Sequence, residues 1–179
     1  ANRLREELPS FDFPTIIIND TMAKRIVENR YGVGISVVDG MMRTTNIMLG
    51  GKKVVVIGYG YCGQGVAQRL RGLGAHVTVV DTEPMAQLEA HLEGFNVAEK
   101  EEALVGADIV LTVTGRRNVI LEEHFELMKD GVLLCNAGAF EFEIDLSYLR
   151  DAAASIRNIR TDVERISMSD GKNYFLLGR

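Results

Sequence analysis

The stretch Lys53-Val-Val-Val-Ile-Gly-Tyr-Gly-Tyr-Cys-Gly-Gln-Gly-Val-Ala-Gln-Arg-Leu70 places an apolar, β-branched run before a cluster of glycines and an amphipathic helical pattern. Gly58 and Gly60 are predicted to allow a tight turn and a close approach of the backbone to a pyrophosphate, and Gly63 to let the helix pack on the strand. The amides that open the helix can bind an anion. The stretch therefore predicts a dinucleotide site. Its predicted cofactor residues in this turn are Gly58, Gly60, Tyr61, Cys62 and Gly63.

A second apolar run, His76-Val-Thr-Val-Val80, ends at Asp81, about twenty residues after the glycines. An acid at this position accepts hydrogen bonds from the hydroxyls of the adenine-side ribose. Its charge would repel the 2′-phosphate of NADP, and neither Thr82 nor Glu83 supplies a cation. We therefore expect the cofactor to be NAD rather than NADP.

The segments that follow continue the alternation of helices and strands. Pro84 can begin a helix whose predicted buried face carries Met85, Leu88 and Leu92. The predicted elements after it are a short strand at 95–97, a short helix at 99–105, a strand at 107–113, a helix at 119–128 and a strand at 131–136. This order is typical of a parallel sheet.

Small and polar residues lie at the carboxyl ends of two of these strands. Thr114-Gly115 follows one, and Ala137-Gly138-Ala139-Phe140 follows the strand that ends at Asn136. In open parallel sheets, ligands bind in the crevice outside this edge. We therefore predict that the backbone amides after Asn136 meet the nicotinamide. The predicted cofactor residues at this edge are Thr114, Gly115, Asn136, Ala137 and Gly138.

The chain before the glycine loop is predicted to have two parts. Residues 1–14 are charged and irregular and read as a linker. The lead-in segment, 15–50, is expected to contain a short buried strand or extended piece at Thr15-Ile-Ile-Ile-Asn19, then a helix that breaks at 31–34. A second helix from Ser36 is expected to end at Gly50-Gly51 and to connect to the NAD-binding domain, 51–179.

The tail contains three apolar runs that are predicted to be short strands, at 155–160, 163–167 and 174–177, with Asp170-Gly171 as a hairpin turn. The fold class that follows is α/β: a Rossmann-type doubly wound, mostly parallel sheet with flanking helices and a short strand-rich C-terminal tail.

The overall composition is that of an ordinary globular domain. The 179 residues are 46% hydrophobic and 25% charged, with a net charge of −5. Acidic charge predicts no nucleic-acid partner, and no apolar run reaches the roughly twenty residues that a membrane span needs. Cys62 and Cys135 have no metal-site or disulfide spacing, and no secretory leader is seen, so we expect a cytoplasmic protein without a metal.

The residues that could perform acid–base chemistry lie before the glycine loop. Lys24 and Glu28 are four residues apart on one helical face, with Asn29 next to them. Spacing alone favours a surface ion pair worth a few tenths of a kcal/mol, roughly 0.3 kcal/mol. Three scattered histidines receive no chemical role.

The chain resembles the cofactor domain of the adenosylhomocysteinase (S-adenosyl-L-homocysteine hydrolase) family from about residue 13 onward. The similarity is more specific than the glycine motif, because it includes positions that a dinucleotide fold does not require. The segments that carry it are Phe13-Pro-Thr-Ile-Ile-Ile-Asn-Asp20, Glu28-Asn-Arg-Tyr-Gly32, Asp39-Gly40, Gly58-Tyr-Gly60, Leu70-Arg-Gly72, Thr114-Gly115, His124-Phe-Glu126, Met128-Lys-Asp130 and Cys135-Asn136.

The resemblance implies a reaction as well as a fold. In this family a tightly held NAD oxidises the 3′-hydroxyl of the substrate, which acidifies the neighbouring C4′ proton. Homocysteine is then eliminated, water adds, and the hydride returns. It implies a catalytic lysine beside the 3′-oxygen at Lys24, an acid at Glu28 where the family has aspartate, and an asparagine between substrate and cofactor at Asn29. It also implies a homo-oligomer.

The chain departs from the family pattern at several positions. Ala139 stands where the family has a histidine, Val33 where a cysteine is common, and Gln64 where the phosphate loop usually has lysine. Asp81 replaces the usual ribose-binding glutamate. The family's substrate domain has no counterpart in these residues, so we expect the chain alone to be inactive.

Two other functions remain open from the sequence. One is a non-catalytic NAD-binding module or degenerate paralogue, which the loss of the histidine at Ala139 would suit. The other is the cofactor domain of a 2-hydroxy-acid dehydrogenase, which shares this order of strands and helices. The sequence does not distinguish an adenosine substrate from a deaminated one such as inosine.

Overall fold

A computed structural model describes residues 16–138 and 141–178. The linker predicted at 1–14 lies outside them, as does Ala139, the position where the resembling family has a histidine. The described chain forms one eight-stranded sheet in the order β3-β2-β1-β4-β5-β8-β7-β6. The strands are β1 (Lys53–Ile57), β2 (His76–Val80), β3 (Asn96–Val97), β4 (Ile109–Thr112), β5 (Val132–Asn136), β6 (Ala153–Arg160), β7 (Val163–Met168) and β8 (Asn173–Leu177).

The helices flank this sheet on both faces. They are α1 (Met22–Lys24), α2 (Val33–Thr45), α3 (Tyr61–Gly72), α4 (Pro84–Leu92), α5 (Lys100–Leu104), α6 (Glu122–Leu127) and α7 (Leu146–Ala152). A π-helix, Arg25–Gly32, joins α1 to α2, and we call the continuous run 22–45 the lead-in helix. No helix among the described residues has the length and apolar character needed to cross a membrane.

Alternation along the strands divides the apolar residues between two cores. On β1, Val54 and Val56 pack with Leu70 of α3, whereas Val55 and Ile57 pack on the opposite face. Because successive side chains of a strand point to opposite faces, a run of β-branched residues fills both cores at once. The predicted doubly wound α/β fold is confirmed, with β1, β2, β3, β4, β5 and β8 parallel.

The C-terminal strands close one side of the sheet. β6, β7 and β8 pair antiparallel, and Gly171 in the β7–β8 turn has a φ of +93°. This backbone conformation favours glycine, so the predicted hairpin turn is confirmed. The tail belongs to the same sheet as the glycine loop, because β8 pairs in parallel with β5.

The lead-in segment is where the sequence-based predictions were wrong. Of the stretch predicted as a buried strand or extended piece, Ile17 is extended, but Ile18–Asp20 is an exposed 3-10 turn. The helix continues through the break predicted at 31–34. Gly32 keeps a helical φ of −62°. The helix ends at Thr45, where Asn46 adopts a φ of +58°, rather than at Gly50-Gly51.

Close helix packing explains why the glycines do not break the lead-in helix. A Cβ on Gly34 would lie 2.6 Å from the backbone carbonyl of Gly65 in α3. Two backbones in direct contact therefore favour glycine at both positions, and tertiary packing outweighs the low helix propensity of this residue.

Two further predictions on helices were also wrong. Met85, Leu88 and Leu92 of α4 are exposed, because α4 contributes only Ala90 as a buried residue. The helix predicted at 119–128 is limited to Glu122–Leu127, since Ile120 instead forms a parallel β-bridge with Ile144.

Candidate functional site

The glycine loop between β1 and α3 has three glycines with different geometry. Gly58 has a φ of +106°, and a Cβ on Gly63 would lie 1.9 Å from the carbonyl oxygen of Gly58. A Cβ on Gly60 would meet no atom of the described residues within 4 Å. The first and last glycines therefore close the turn and seat α3, whereas Gly60 faces open space.

The start of α3 has the geometry of an anion site. The first helical hydrogen bond runs from the N–H of Gln64 to the carbonyl of Gly60, so the amides of Tyr61, Cys62 and Gly63 precede the intrahelical ladder. Gly60 carries no side chain to cap them. The open space beside Gly60 and the positive end of the helix dipole are suited to a phosphate group.

Asp81 lies at the carboxyl end of β2 and is half-buried. Its Oδ2 accepts a hydrogen bond from the backbone N–H of Tyr59 at 2.6 Å, and its Oδ1 accepts one from the N–H of Glu83 at 2.9 Å. A carboxylate has about four acceptor positions, so each oxygen retains capacity for a ribose hydroxyl. The same two bonds fix the carboxylate relative to the glycine loop.

The side chain of Gln64 bonds to the glycine loop itself, where its Nε2 donates to the carbonyl oxygen of Tyr59 at 3.4 Å. It is buried, and its Nε2 donates to Glu89 Oε2 at 2.9 Å. The position where the resembling family has a lysine is thus used here to join α3 to α4.

Thr114 and Gly115 follow β4 and are both held by one carboxylate. The N–H and Oγ1 of Thr114 donate to Glu143 Oε2 at 3.0 and 2.8 Å, and the N–H of Gly115 donates to Glu143 Oε1 at 2.7 Å. Glu143 is fully buried. It therefore fixes the loop after β4 without being open to a ligand itself.

The amides of the first two residues after β5 are hydrogen-bonded within the chain. The N–H of Ala137 donates to the carbonyl of Thr112 at 2.8 Å, and the N–H of Gly138 donates to Asn136 Oδ1 at 2.8 Å. Both groups are hydrogen-bonded within the chain, and their contact with the nicotinamide stays a prediction. The amides of 139 and 140 lie outside the described residues.

The three candidate catalytic residues are brought together by the π-helix. Lys24 Nζ donates to Asn29 Oδ1 at 2.7 Å and lies 3.6 Å from Glu28 Oε1. In a π-helix each backbone hydrogen bond spans one more residue than in an α-helix, so residues five apart come close together. The predicted ion pair of Lys24 and Glu28 is present, but the shorter contact is with Asn29.

The lead-in helix places this group beside the glycine loop. The hydroxyl of Tyr61 contacts the sulfur of Met22 at 3.6 Å. Burial raises the pKa of the Cys62 thiol, the charge of Lys24 opposes this rise, and that of Glu28 adds to it. Both charged side chains are thus close enough to act on the first turn of α3.

These features are compatible with NAD, whose adenosine ribose would meet Asp81 and whose pyrophosphate would meet the amides after Gly60. The loops after β4 and β5 would then lie towards the nicotinamide. No group of three or more metal-ligating side chains occurs among residues 16–138 and 141–178.

Glu143 is the functional residue that the sequence analysis missed. It is one of three acids, Glu141, Glu143 and Asp145, that alternate with apolar residues, so the local sequence does not mark it as the buried one. The partners, Thr114 and Gly115, are 28 residues or more away in sequence and could not be identified from it.

Comparisons with known proteins agree with this geometry. The family model described as "S-adenosyl-L-homocysteine hydrolase, NAD binding domain" matches residues 29–179. An adenosylhomocysteinase from Nostoc sp. is 46% identical over 167 residues, which are 93% of this chain and 39% of that protein. An S-inosyl-L-homocysteine hydrolase from Methanopyrus kandleri is 49% identical over 166 residues, with 92% and 39% covered.

A solved structure supports the fold alone. A dipicolinate synthase chain from Bacillus halodurans superposes with a TM-score of 0.69 at 16% identity, over 84% of this chain and 51% of that one. The chain spans about 39% of the length of the curated relatives that it matches.

Proposed function

The chain belongs to the NAD-binding domain family of S-adenosyl-L-homocysteine hydrolases, and we propose that the protein carrying it cleaves an S-nucleosyl-homocysteine into nucleoside and homocysteine. NAD is the cofactor of this domain. We further propose the division into a linker at 1–14, a lead-in segment at 15–50 and the cofactor domain at 51–179. The remaining proposals are a homo-oligomer and a cytoplasmic location.

The lead-in helix would supply the catalytic groups. Bound NAD would supply the acceptor for a hydride from the 3′-carbon of the nucleoside and the source of its return. Lys24 donates a hydrogen bond to the 3′-oxygen and stabilises the negative charge that develops there. Asn29 holds the ammonium group in place, and Glu28 balances its charge.

The observation that carries this proposal is the contact of 2.7 Å between Lys24 and Asn29 beside the first turn of α3. An exposed ion pair would need no such partner, since a surface Lys24–Glu28 pair forms without it. An ammonium held by a neutral amide oxygen keeps its charge available to a third group. That arrangement suits a role beside a developing oxyanion better than a role in stability.

The test uses the protein that carries this chain, isolated with its cofactor. Lys24→Met should lower kcat for release of homocysteine thiol from S-adenosylhomocysteine by about 10²- to 10⁴-fold, with NAD still bound. The matched control is Lys53→Met, because Lys53 is exposed at the amino end of β1, the opposite edge of the sheet. Equal turnover of Lys24→Met and the parent protein would refute the assigned role.

The nucleoside base has two candidates. The relative from Methanopyrus kandleri is named for S-inosyl-L-homocysteine, whereas that from Nostoc sp. is named for the adenosyl compound, and their identities to this chain are similar at 49% and 46%. Measuring kcat/KM for both thioethers side by side identifies the substrate.

We expect the 179 residues alone to release no homocysteine even when saturated with NAD. Holding a nucleoside in the reactive geometry can account for about 7–11 kcal/mol of barrier. The chain spans about 39% of the length of the curated relatives that it matches, so we propose that groups outside it hold the nucleoside. Turnover above a no-protein control, with NAD binding verified in the same sample, would contradict this expectation.

A further inference from the structure

Glu93, the residue after α4, accepts side-chain hydrogen bonds from three separate elements. Arg30 Nη2 of the π-helix donates to Oε1 at 3.2 Å, and Gln68 Nε2 of α3 donates to Oε2 at 2.8 Å. The hydroxyl of Tyr59 in the glycine loop donates to Oε2 at 3.0 Å. One carboxylate thus joins the lead-in helix, α3 and the glycine loop.

Tyr59 is held at both its backbone and its side chain. Its ring is 1% exposed and packs edge-on against Phe95, with the ring centroids 5.8 Å apart. Its backbone N–H donates to Asp81 Oδ2, the predicted ribose acid. Because Tyr59 lies between Gly58 and Gly60, any shift of its ring moves the turn where the pyrophosphate would bind.

Arg30 fixes the other partner, the lead-in helix. A Cβ on Gly65 of α3 would lie 1.7 Å from the carbonyl oxygen of Arg30, so the two helix backbones touch at this residue. The guanidinium extends to Glu93, and its Nε is buried without a hydrogen-bond partner in the described part of the chain. The hydrogen bond and ion pair of Arg30 Nη2 with Glu93 Oε1, at 3.2 Å, therefore hold the guanidinium in place.

The charges in this cluster are compatible with a stable carboxylate. Burial raises the pKa of Glu93, but hydrogen bonds from Gln68 and Tyr59 and the nearby charge of Arg30 outweigh it and hold that pKa below its usual range. Burial and the adjacent carboxylate raise the pKa of Tyr59, so its hydroxyl remains a donor. The cluster therefore keeps one arrangement across the neutral pH range.

We infer that Glu93 is a positioning residue that couples the lead-in helix to the glycine loop through Arg30 and Tyr59. It touches neither cofactor nor substrate. It fixes the position of the turn at Gly60 relative to α3. Through Arg30 it also fixes the position of the adjacent Asn29. The inference rests on the proposed function, because its effect is read as a change in NAD affinity.

The experiment measures NAD binding to the 179-residue chain by calorimetry. Each variant is first checked by circular dichroism to be fully folded at the temperature of titration, so that a loss of global stability does not alter the dissociation constant. Glu93→Gln keeps the size of the side chain. It replaces one acceptor oxygen by an amide N–H group, which then faces a hydrogen-bond donor. We expect a loss of about five- to tenfold in NAD affinity.

Arg30→Leu should cause a similar loss, although Arg30 lies on a different element from the glycine loop. The NAD affinity of the double variant Arg30→Leu/Glu93→Gln should lie within about twofold of that of either single variant, because both substitutions remove the same contact. The control is Asp39→Asn, which removes the carboxylate of another ion pair on the lead-in helix, 3.4 Å from Arg43 and exposed. The control should bind NAD as the parent does.

Unchanged affinity in Glu93→Gln and Arg30→Leu, or losses that simply multiply in the double variant, would overturn the inference. A purely structural role would lower the unfolding temperature and leave the dissociation constant of the folded protein unchanged. Failure of the parent chain to bind NAD would instead overturn the cofactor site itself, so the two failures are distinguishable.

Discussion

Asp81 and Glu143 are two carboxylates at the same edge of the sheet, and each accepts backbone N–H groups from a loop. Asp81 accepts two, from Tyr59 and Glu83, and is half-buried. Glu143 accepts three hydrogen bonds, from the N–H and hydroxyl of Thr114 and the N–H of Gly115, and is fully buried. The chemistry of the two groups is the same, but their access to a ligand is not.

The difference shows that a carboxylate that holds a loop in place can also be available to bind a ligand, depending on its exposure. A carboxylate that ties down a loop and remains partly exposed can also bind a hydroxyl, because acceptor positions are left over. One that is fully enclosed can only brace the loop. The same contrast separates the glycines, since Gly60 faces open space whereas a Cβ on Gly138 would lie 1.7 Å from Glu143 Oε1.

Substitution of these two glycines should separate binding from folding, with the largest effect expected at Gly60. Gly60→Val should abolish NAD binding in a folded protein, because the valine would fill the space that a pyrophosphate needs. The backbone there is extended, with φ of −70° and ψ of −174°, which valine adopts readily. Calorimetry and circular dichroism on the same sample check both parts.

Gly138→Val is the matched comparison on the enclosed side. It should reduce the unfolding temperature, because the new side chain displaces the Glu143 carboxylate from its three donors. If Gly60→Val unfolded the protein as well, Gly60 would be a packing glycine and the contrast between the two sides would be lost.

Removal of the enclosed carboxylate should mainly affect stability. Glu143→Ala removes the acceptor of the amides of Thr114, which is half-buried, and Gly115, which is exposed, and a hydrogen bond to a charged group contributes about 1.5–3 kcal/mol. For a chain of this size a loss of about 2–3 kcal/mol lowers the unfolding temperature by roughly 5–10 °C. Glu143→Gln, which retains one acceptor oxygen, should lose less. Equal unfolding temperatures for Glu143→Ala and the parent would show that Glu143 does not brace the loop.

The part of the fold that sequence predicts well is the part where each residue's role depends on close neighbours along the chain. The alternation of Val54 to Ile57, the glycine turn and the face of α3 that carries Val66 and Leu70 all follow from period and turn chemistry. The succession of strands and helices along the chain, and Asp81 at the end of β2, could therefore be predicted.

What the sequence did not predict depends on distant contacts. The helix continues past Gly34 only because Gly65 lies against it, and the π-turns that join Lys24 to Asn29 have no local signature. The hydrogen-bond partners of Glu143 are Thr114 and Gly115, which lie in the loop after a different strand, β4. Each of these arises when two elements meet, which a pattern of period 2 or 3.6 does not encode.

The role predicted for Asp81, the more exposed of the two carboxylates, can be tested by comparing the affinities for NAD and NADP. Asp81→Ala should weaken NAD binding by about tenfold, since it removes an ionised acceptor for the ribose hydroxyls. It should leave NADP binding unchanged or stronger, because the repulsion of the 2′-phosphate is removed as well. Titration of both cofactors into the parent and the variant measures the gap. A variant that keeps the full preference for NAD would remove Asp81 from the ribose site.

The smallest expected effect is on the reactivity of the two thiols. One thiol lies near the open loop at Gly60 and the other near the loop that Glu143 encloses. Cys62 is half-buried in the first turn of α3, on the open side, and Cys135 is buried in β5, which leads to the enclosed side. Burial raises the pKa of Cys135 to about 12, so little of its thiolate exists at pH 8. Iodoacetamide should therefore label the folded protein at Cys62 and leave Cys135 unmodified until it unfolds.

Labelling of Cys62 should also report the cofactor. Burial raises the pKa of this thiol as well, so its rate should increase as the pH rises above 8. Saturating NAD should slow labelling severalfold, roughly threefold or more, because a pyrophosphate at the amides of this turn both covers the sulfur and disfavours the thiolate. Mass spectrometry of the labelled peptides follows both cysteines in one sample, with Gly60→Val as the control that should show no protection. Equal rates at Cys62 with and without NAD would place the cofactor away from the first turn of α3, and faster labelling of Cys135 than of Cys62 would reverse the assignment of open and enclosed sides.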